Sequence, residues 1–487
     1  MQYNELLEKQ IIGRLRLDNP WWTEKEIATF YAKMQPRLYL DFFYPLVEDI
    51  DIRRAIILMG PRRVGKTVMI YHTIQRLLAN GIPSQNIIYI SVETPIYNKI
   101  PLEQLFVLAK RALNKDNNTT EPFYVFFDEI QYLKEWEIHL KTLVDTYYNV
   151  KFVASGSAAA ELKKRSDESG AGRFTDFNLP PLTFYEYVHL KDYSNLLYPC
   201  EMEWTGSSTI RGNSTIDISL LNKLFIDYIN YGGYPEVVFS TKLQENPSQF
   251  IRHDIIDKVL LRDLPSLYGI TDVQELNSLF TMIAYHSGSQ FSYEGLSKDS
   301  GVKKDTLRKY IEYLEAAFLI RKIRRSDDTA KSYKREMLFK LYLTNPSLRC
   351  ALFQPIDEQD EFIGNMVETA VYAQWIPRNV NIAYANWNEG KKKGEVDIVG
   401  INSARQKPDW AVEVKWTDKP FFHPNEELKS LETFMKKNDL SYALVTSVSE
   451  FGMKKMSYGN LQFMPVACYA YTVGENTLRK TKLSFGL

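Results

Sequence analysis

Apolar positions follow two patterns along this chain. Between residues 51 and 190, short unbroken apolar runs alternate with stretches of helical period. The runs are Ala55-Ile-Ile-Leu-Met59, Asn86-Ile-Ile-Tyr-Ile-Ser91, Phe123-Tyr-Val-Phe-Phe127 and Val150-Lys-Phe-Val-Ala-Ser155, with Phe174 to Leu179 as a further candidate. Runs of this length bounded by turn signals predict strands buried on both faces. Strands alternating with helices predict a parallel sheet covered on both sides. Val64 to Asn80 predicts a helix closed by Gly81. Before this, residues 1–50 read as a helical segment rich in aromatics, among them Trp21, Trp22, Tyr31, Phe42, Phe43 and Tyr44.

After residue 190 the pattern changes. Residues 191–272 read as mostly helical, broken by Thr205 to Ser214, which reads as an exposed loop. Residues 273–350 form a compact helix-rich stretch, and 355–487 return to mixed strands and helices. Junctions are expected near residues 272 and 355. There are no internal repeats and no low-complexity tract.

Composition adds limits rather than detail. The 487 residues are 45% apolar and 25% charged, the balance of a soluble globular chain. That length suggests about three domains. Sixty basic residues equal sixty acidic ones, so any nucleic-acid surface must be a local patch. Cys200, Cys350 and Cys468 are the only cysteines and lie far apart. Their spacing is not that of metal ligands, and an odd number argues against a disulfide framework. Met1-Gln-Tyr-Asn-Glu5 opens polar and acidic, and no apolar run approaches membrane-spanning length. A cytoplasmic location with no membrane partner is the expectation.

The candidate chemistry begins at Gly60-Pro61-Arg62-Arg63-Val64-Gly65-Lys66-Thr67, with Val68 next in the helix. It follows a predicted strand and opens a predicted helix, the setting in which glycines and a lysine cradle phosphates. Loop amides and the helix N-terminus supply partial positive charge. Lys66 would reach the β- and γ-phosphates, and Thr67 would ligate Mg²⁺. The strand ending in Asp128-Glu129 supplies the second half: Asp128 to hold Mg²⁺ and Glu129 to polarise the attacking water. The paired acids mark an ATP hydrolase. Ser155, at the end of the next strand, could touch the γ-phosphate or that water, or could belong to a small-residue turn. Arg173 could stabilise a γ-phosphate, in this chain or in a neighbouring copy, with Arg165 as a competitor; an ordinary surface arginine is the alternative.

These residues, with Phe-Phe-Asp128-Glu129-Ile-Gln131, Ser155-Gly-Ser157, Gly172-Arg173, Pro181-Leu-Thr-Phe-Tyr-Glu186 and Tyr231-Gly-Gly-Tyr-Pro-Glu236, resemble a family of prokaryotic AAA-type ATPases. In that family a C-terminal domain of uncharacterised function follows. The resemblance implies an ATPase core over 51–190, a helical lid over 191–272, and ATP with Mg²⁺ as cofactors. It spans nearly the whole chain and speaks to chemistry more than to a biological task.

Two further patterns concern DNA. Phe291 to Leu314 has the form helix, glycine turn at Gly301, helix. Phe318–Ile323 and Phe339–Leu343 can supply two strands of a wing, so 273–350 looks like a winged helix-turn-helix. From Lys303 to Lys340 there are twelve basic and six acidic residues. Lys303, Lys304, Arg308 and Lys309 fall on the second helix, and Arg321, Lys322, Arg324 and Arg325 on the wing. Such charges suit DNA phosphates, or a solvated face used for protein contacts.

In 355–487, Gly394-Glu-Val-Asp397-Ile-Val399 and Ala411-Val-Glu413-Val-Lys415 read as strands, after a helix carrying Glu368. Glu413 and Lys415, two apart, share a strand face. Acids and a lysine converging on a sheet can bind a divalent metal and activate water against a phosphodiester. Helix Glu, strand Asp, then Glu-x-Lys resembles the restriction-endonuclease-like fold. Carried over, Glu368, Asp397 and Glu413 would be metal ligands, and Lys415 would orient the water or stabilise the phosphorus. Charged pairs on a surface hairpin are the alternative. Trp387, Lys391, Lys392 and Lys393 could touch a nucleic-acid backbone or form a solvated loop. The expected fold class is therefore α/β: a P-loop parallel sheet with a lid, a winged helix and a nuclease-like α/β domain. DNA and, if Arg173 acts in trans, a second copy of the chain are the expected partners. A nucleotide-gated switch that never cuts is the rival expectation.

Overall fold

The unbroken apolar runs of the first half build one parallel sheet. The computed structural model describes residues 2–97, 100–115, 122–157, 172–205, 208–327, 329, 338–378, 380–389 and 392–484. Its first strands are β1 (Ala55–Met59), β2 (Ile87–Ser91), β3 (Phe123–Asp128), β4 (Val150–Gly156) and β5 (Phe174–Asn178). They lie in the order β2-β3-β4-β1-β5, every neighbour parallel. β1 and β3 are buried at every position, as a sheet covered on both faces requires. The crossovers include the helices Lys66–Ala79, Leu102–Ala112 and Trp136–Thr146.

The N-terminal segment finishes an edge of this sheet. Asn19 donates from Nδ2 to the Tyr89 carbonyl (2.9 Å) and accepts from the Tyr89 amide (2.6 Å). Trp21 and Trp22 both donate from Nε1 to the Ile87 carbonyl. The exposed backbone of edge strand β2 is thus satisfied by side chains rather than by another strand.

Contacts divide the chain into two compact units, Met1–Pro180 with Lys482–Leu487, and Pro181–Thr481. The stretches expected as lid and winged helix, and the expected C-terminal domain as far as Thr481, fall in the second. That unit opens with the helix Phe184–Leu190, started by a capping box in which Thr183 and Glu186 satisfy each other's backbone amides.

β6 (Leu197–Thr205) and β7 (Ser208–Thr215) follow as an antiparallel hairpin. Within the expected exposed loop over Thr205 to Ser214, Thr205 ends β6 and Ser208 to Ser214 are strand residues of β7. The reason is packing that sequence does not show. Buried Met202 lies against Gly212, where a Cβ would come within 2.6 Å of Met202 Cε. The Asn213 amide bonds the distant Thr472 hydroxyl (3.0 Å).

The rest of the unit is organised by a nine-stranded sheet. Its strands are β8 (Gln290–Phe291), β9 (Ile320–Ser326), β10 (Phe339–Leu343), β11 (Ile382–Glu389), β12 (Lys392–Asn402), β13 (Lys407–Glu413), β14 (Tyr442–Ser447), β15 (Gly452–Met456) and β16 (Gly459–Pro465). Their order is β15-β16-β14-β13-β12-β11-β9-β10-β8. The pairing of β9 with β11, Tyr384 opposite Arg325 and Ala385 opposite Ser326, carries the sheet across the junction expected near residue 355.

Alternate residues of β13 and β14 enter opposite cores. Val412 and Leu444 pack with the helix Ile363–Trp375, and Ala411 and Val445 with the helix Lys429–Lys437. The molecule is α/β in class. Among the described residues no helix is long and apolar enough to cross a membrane.

Candidate functional site

At the end of β1 the chain turns through Gly60–Gly65 into the helix Lys66–Ala79. Gly65 caps that helix at φ 97°, and Arg63 is also left-handed at φ 64°. Gly60 cannot carry a side chain: a Cβ there would lie 2.2 Å from the Leu179 carbonyl oxygen. Buried Arg37, from the N-terminal segment, braces the loop by donating to the Val64 carbonyl (2.7 Å) and the Pro180 carbonyl (3.1 Å). Lys66 is buried, and its Nζ donates to the carbonyls of Gly60 (2.9 Å) and Pro61 (2.8 Å). Pro61 and Val64 are buried within the loop, Arg62 reaches the Tyr132 hydroxyl (3.4 Å), and Val68 sits on the first helical turn.

Asp128 is the hub of the site. Its Oδ2 accepts from the Thr67 and Tyr89 hydroxyls, each at 2.8 Å, and its Oδ1 accepts from Ser155 Oγ. Strand order explains this convergence. β4 lies between β1 and β3, so Ser155 at its end stands between the loop and the acid. Glu129 follows in a left-handed turn at φ 55°, with its amide donating to Ser155 Oγ (3.2 Å). Gln131 Nε2 donates to both the Glu129 carboxylate and Ser157 Oγ. Burial raises the Glu129 carboxyl above its usual range; Lys66 pulls it down and Asp128 pushes it further up. Sequence reasoning gave Tyr89 and Gln131 no role. Tyr89 could have been noticed as the one aromatic hydroxyl among the isoleucines of its strand.

Arg173 does not join this site in its own chain. Phe174 is level with Ala55 in the parallel pairing of β5 with β1. Arg173 therefore sits at the start of β1, whereas the loop leaves its other end, about 13 Å away at the rise of a strand. Its side chain is half exposed and paired with Asp145. Arg165 lies outside the described residues.

The second candidate site lies wholly within the second unit. Asp397 sits on β12 where two residues, Asp397 and Ile398, oppose the single residue Tyr384 of β11. This bulge breaks the simple alternation expected of the strand and re-aims the acid. Buried Tyr372 donates to the bulged Asp397 carbonyl (2.6 Å), and Asp397 Oδ2 accepts from the Val414 amide (2.8 Å). Glu413 ends β13. Lys415, just past the strand, is held by its amide to Thr446 Oγ1 (2.7 Å). Lys415 Nζ lies 2.7 Å from Glu413 Oε1 and 3.8 Å from Asp397 Oδ2. The Glu413 side chain is only 10% exposed, and its Oε2 is buried with no hydrogen-bond partner. Burial, then repulsion from Asp397, pushes its carboxyl up to about 8 against the pull of Lys415.

Glu368 comes near but is otherwise engaged. Its Oε1 accepts from Lys340 Nζ (2.9 Å) and from the Tyr342 hydroxyl. Lys340 Nζ also pairs with Glu395 Oε1 at 2.7 Å. Burial raises the Glu368 carboxyl, Lys340 opposes that, and Asp397 adds to it. Among the described residues no group of three or more His, Cys, Asp or Glu is arranged to hold a metal ion. The expected set of Glu368, Asp397 and Glu413 is therefore not assembled as three ligands, because Lys340 and Tyr342 occupy Glu368. Asp397 and Glu413 alone, with the unpartnered oxygen of Glu413, offer a cation two carboxylates.

The basic stretch divides in the same way. Lys340 is buried in this cluster rather than on a surface. Lys304 pairs with Glu294, Arg308 with Asp305, and Arg325 donates to the Asn386 carbonyl. Lys303, Lys309, Arg321 and Arg324 are exposed on or beside the helix Lys304–Ala316 and on β9. That helix follows Tyr293–Ser300 after a left-handed Gly301 (φ 74°). Lys393 is exposed, Trp387 is buried against Phe434, and Lys391 lies outside the described residues.

Residues 52–188 match the family model described as an AAA domain, and residues 222–360 match one described as a domain of unknown function. The chain is 25% identical over 347 residues to an uncharacterized protein of Haemophilus influenzae, covering 70% of this chain and 79% of that one. It is 24% identical over 399 residues to an uncharacterized protein of Methanocaldococcus jannaschii, covering 80% and 81%. Similar solved structures include the Aeropyrum pernix ORC1 protein in complex with DNA, at 12% identity and a TM-score of 0.32, covering 68% of this chain and 95% of that one. The S. cerevisiae Hsp104-ADP complex is similar at 13% identity and a TM-score of 0.30, covering 59% and 39%. By the family match, residues 52–188 carry an AAA domain, and they include the P-loop described above.

Proposed function

We propose that this chain hydrolyses ATP and uses the cycle to govern a second unit that binds and cuts DNA. On this reading the loop amides take the phosphates, and Lys66 leaves the Gly60 and Pro61 carbonyls for the β- and γ-phosphates. Thr67 and Asp128 would hold Mg²⁺, which neutralises phosphate charge. Glu129, steadied by Gln131, orients the attacking water and accepts its proton. Arg173 points to a trans role, on the γ-phosphate of a second copy, so the working form is a homo-oligomer.

The helix pair with β9 and β10 is read as a winged helix. Lys303, Lys309, Arg321 and Arg324 are its phosphate contacts, giving affinity without choice of sequence. The restriction-endonuclease-like reading of β11–β14 rests on one observation, the buried and unpartnered oxygen of Glu413 beside Asp397 and Lys415. A divalent ion there would activate water. Lys415 would then stabilise charge on the phosphate.

The test is a cleavage assay on single-stranded, duplex and branched DNA with Mg²⁺ or Mn²⁺, with and without ATP, beside an ATPase assay with DNA. Wild-type protein should nick DNA, Asp397→Ala and Lys415→Ala should not, and Lys66→Ala should lose at least about a hundredfold of ATP turnover. If no condition gives cleavage, the nuclease reading fails. The rival, a nucleotide-gated switch whose second unit binds without cutting, then stands. It is favoured by one observation already given, the capture of Glu368 by Lys340 and Tyr342.

A further inference from the structure

The geometry points to Lys340 as a resident second cation of the carboxylate site, leaving room for one divalent ion, on Asp397 and Glu413. This inference rests on the metal-site reading above. Four carboxylates, those of Glu368, Glu395, Asp397 and Glu413, meet in this part of the unit. Two ammonium groups serve them in separate pairs: Lys340 bridges Glu368 (2.9 Å) and Glu395 (2.7 Å), and Lys415 spans Glu413 (2.7 Å) and Asp397 (3.8 Å).

The two pairs differ in one respect. Glu368 Oε1 is committed to both Lys340 and Tyr342, whereas Glu413 Oε2 is buried with no partner. A divalent ion needs free carboxylate lone pairs. The Glu413 side offers them, and the Glu368 oxygen bound by two donors does not. Lys340 itself is only 5% exposed at its side chain. An ammonium so deeply buried is tolerable only with its charge compensated, and two carboxylates at hydrogen-bond distance do that. It comes from β10, the strand beside β9, so the stretch read as a DNA-binding wing places one of its own lysines inside the cleavage site.

Removing the ammonium should turn its seat into a metal seat. Largely buried Glu368 and part-exposed Glu395 would be left with no cation between them, and two such carboxylates can seat one. Mn²⁺ binding would be counted by electron paramagnetic resonance on the full chain carrying Asp128→Asn, which disables the nucleotide site. That protein should bind one Mn²⁺, and adding Asp397→Asn should abolish it. Lys340→Met should bind two, and Lys340→Met with Glu368→Gln should return to one. Lys340→Met should also melt below its parent without metal and recover in Mn²⁺, since binding to the native state stabilises it.

Should Lys340→Met fail to fold, Glu368→Gln with Lys340 intact decides the matter. The Mn²⁺ count stays at one if Lys340 holds Glu368, and its loss overturns the inference. A count of one in folded Lys340→Met overturns the role of Lys340 while leaving the metal site standing. No Asp397-dependent Mn²⁺ in the parent overturns the metal-site reading and the inference with it.

Discussion

Glu413 is an acid placed where its charge is costly. Its carboxyl is buried beside Asp397 and lies up at about 8, against an ordinary value of 4.5. A carboxyl with a raised folded value takes up a proton on folding, so the native state binds more protons between these limits. Its contribution is complete below about pH 4.5 and is lost as pH rises through about 8. Metal-free protein should therefore lose stability across pH 5 to 8, and Glu413→Gln should flatten that loss. Denaturant melts across the range measure it, and an unchanged slope in the variant would refute it. Glu129 is raised by burial too, against the pull of Lys66, and its left-handed backbone is the kind of strain that functional turns retain. Asp128-Glu129 was readable because the acids end a strand. Lys340 was misread as surface charge because nothing local distinguishes a buried lysine from an exposed one; its partners lie 28 and 55 residues away in the chain.

Elements differ in how far their formation depends on distant contacts. The P-loop takes its path from its own strand, glycines and helix start, with Arg37 bracing it from the N-terminal segment, so its pattern carries most of its shape. The hairpin β6–β7 lacks an alternating apolar signal and forms through pairing and Met202 packing on Gly212. The bulge on β12 is another nonlocal feature. There Tyr372, on the helix Ile363–Trp375, donates its hydroxyl to the Asp397 carbonyl. Tyr372→Phe should leave that buried carbonyl unmet and cost about 1–3 kcal/mol. Urea unfolding of the variant measures this. A cost below about half a kcal/mol would mean the hydroxyl does not support the bulge.

For the whole molecule the proposed trans arrangement can be tested at Arg173. Arg173 lies at the far end of β1 from the loop, so in the proposed arrangement it would serve the γ-phosphate of another copy. Arg173→Ala should then bind ATP normally but hydrolyse it roughly a thousandfold more slowly. Mixed with Lys66→Ala, it should regain part of the rate, because the mixed oligomer contains complete sites. Absence of rescue, with mixed oligomers shown to form, would rule out the trans arrangement.

Before any folding is considered, the order of glycines, lysine and paired acids already identifies phosphate chemistry. Backbone shape and polar groups there are set within a few residues of each other. Tertiary structure alone decided that Ser155 and Tyr89 meet Asp128, that Arg173 leaves its own site, and that a lysine from β10 sits among Glu368 and Glu395. Each of those depends on strand order, register or a bulge. These are fixed by packing between segments far apart in the chain, which local propensity does not encode.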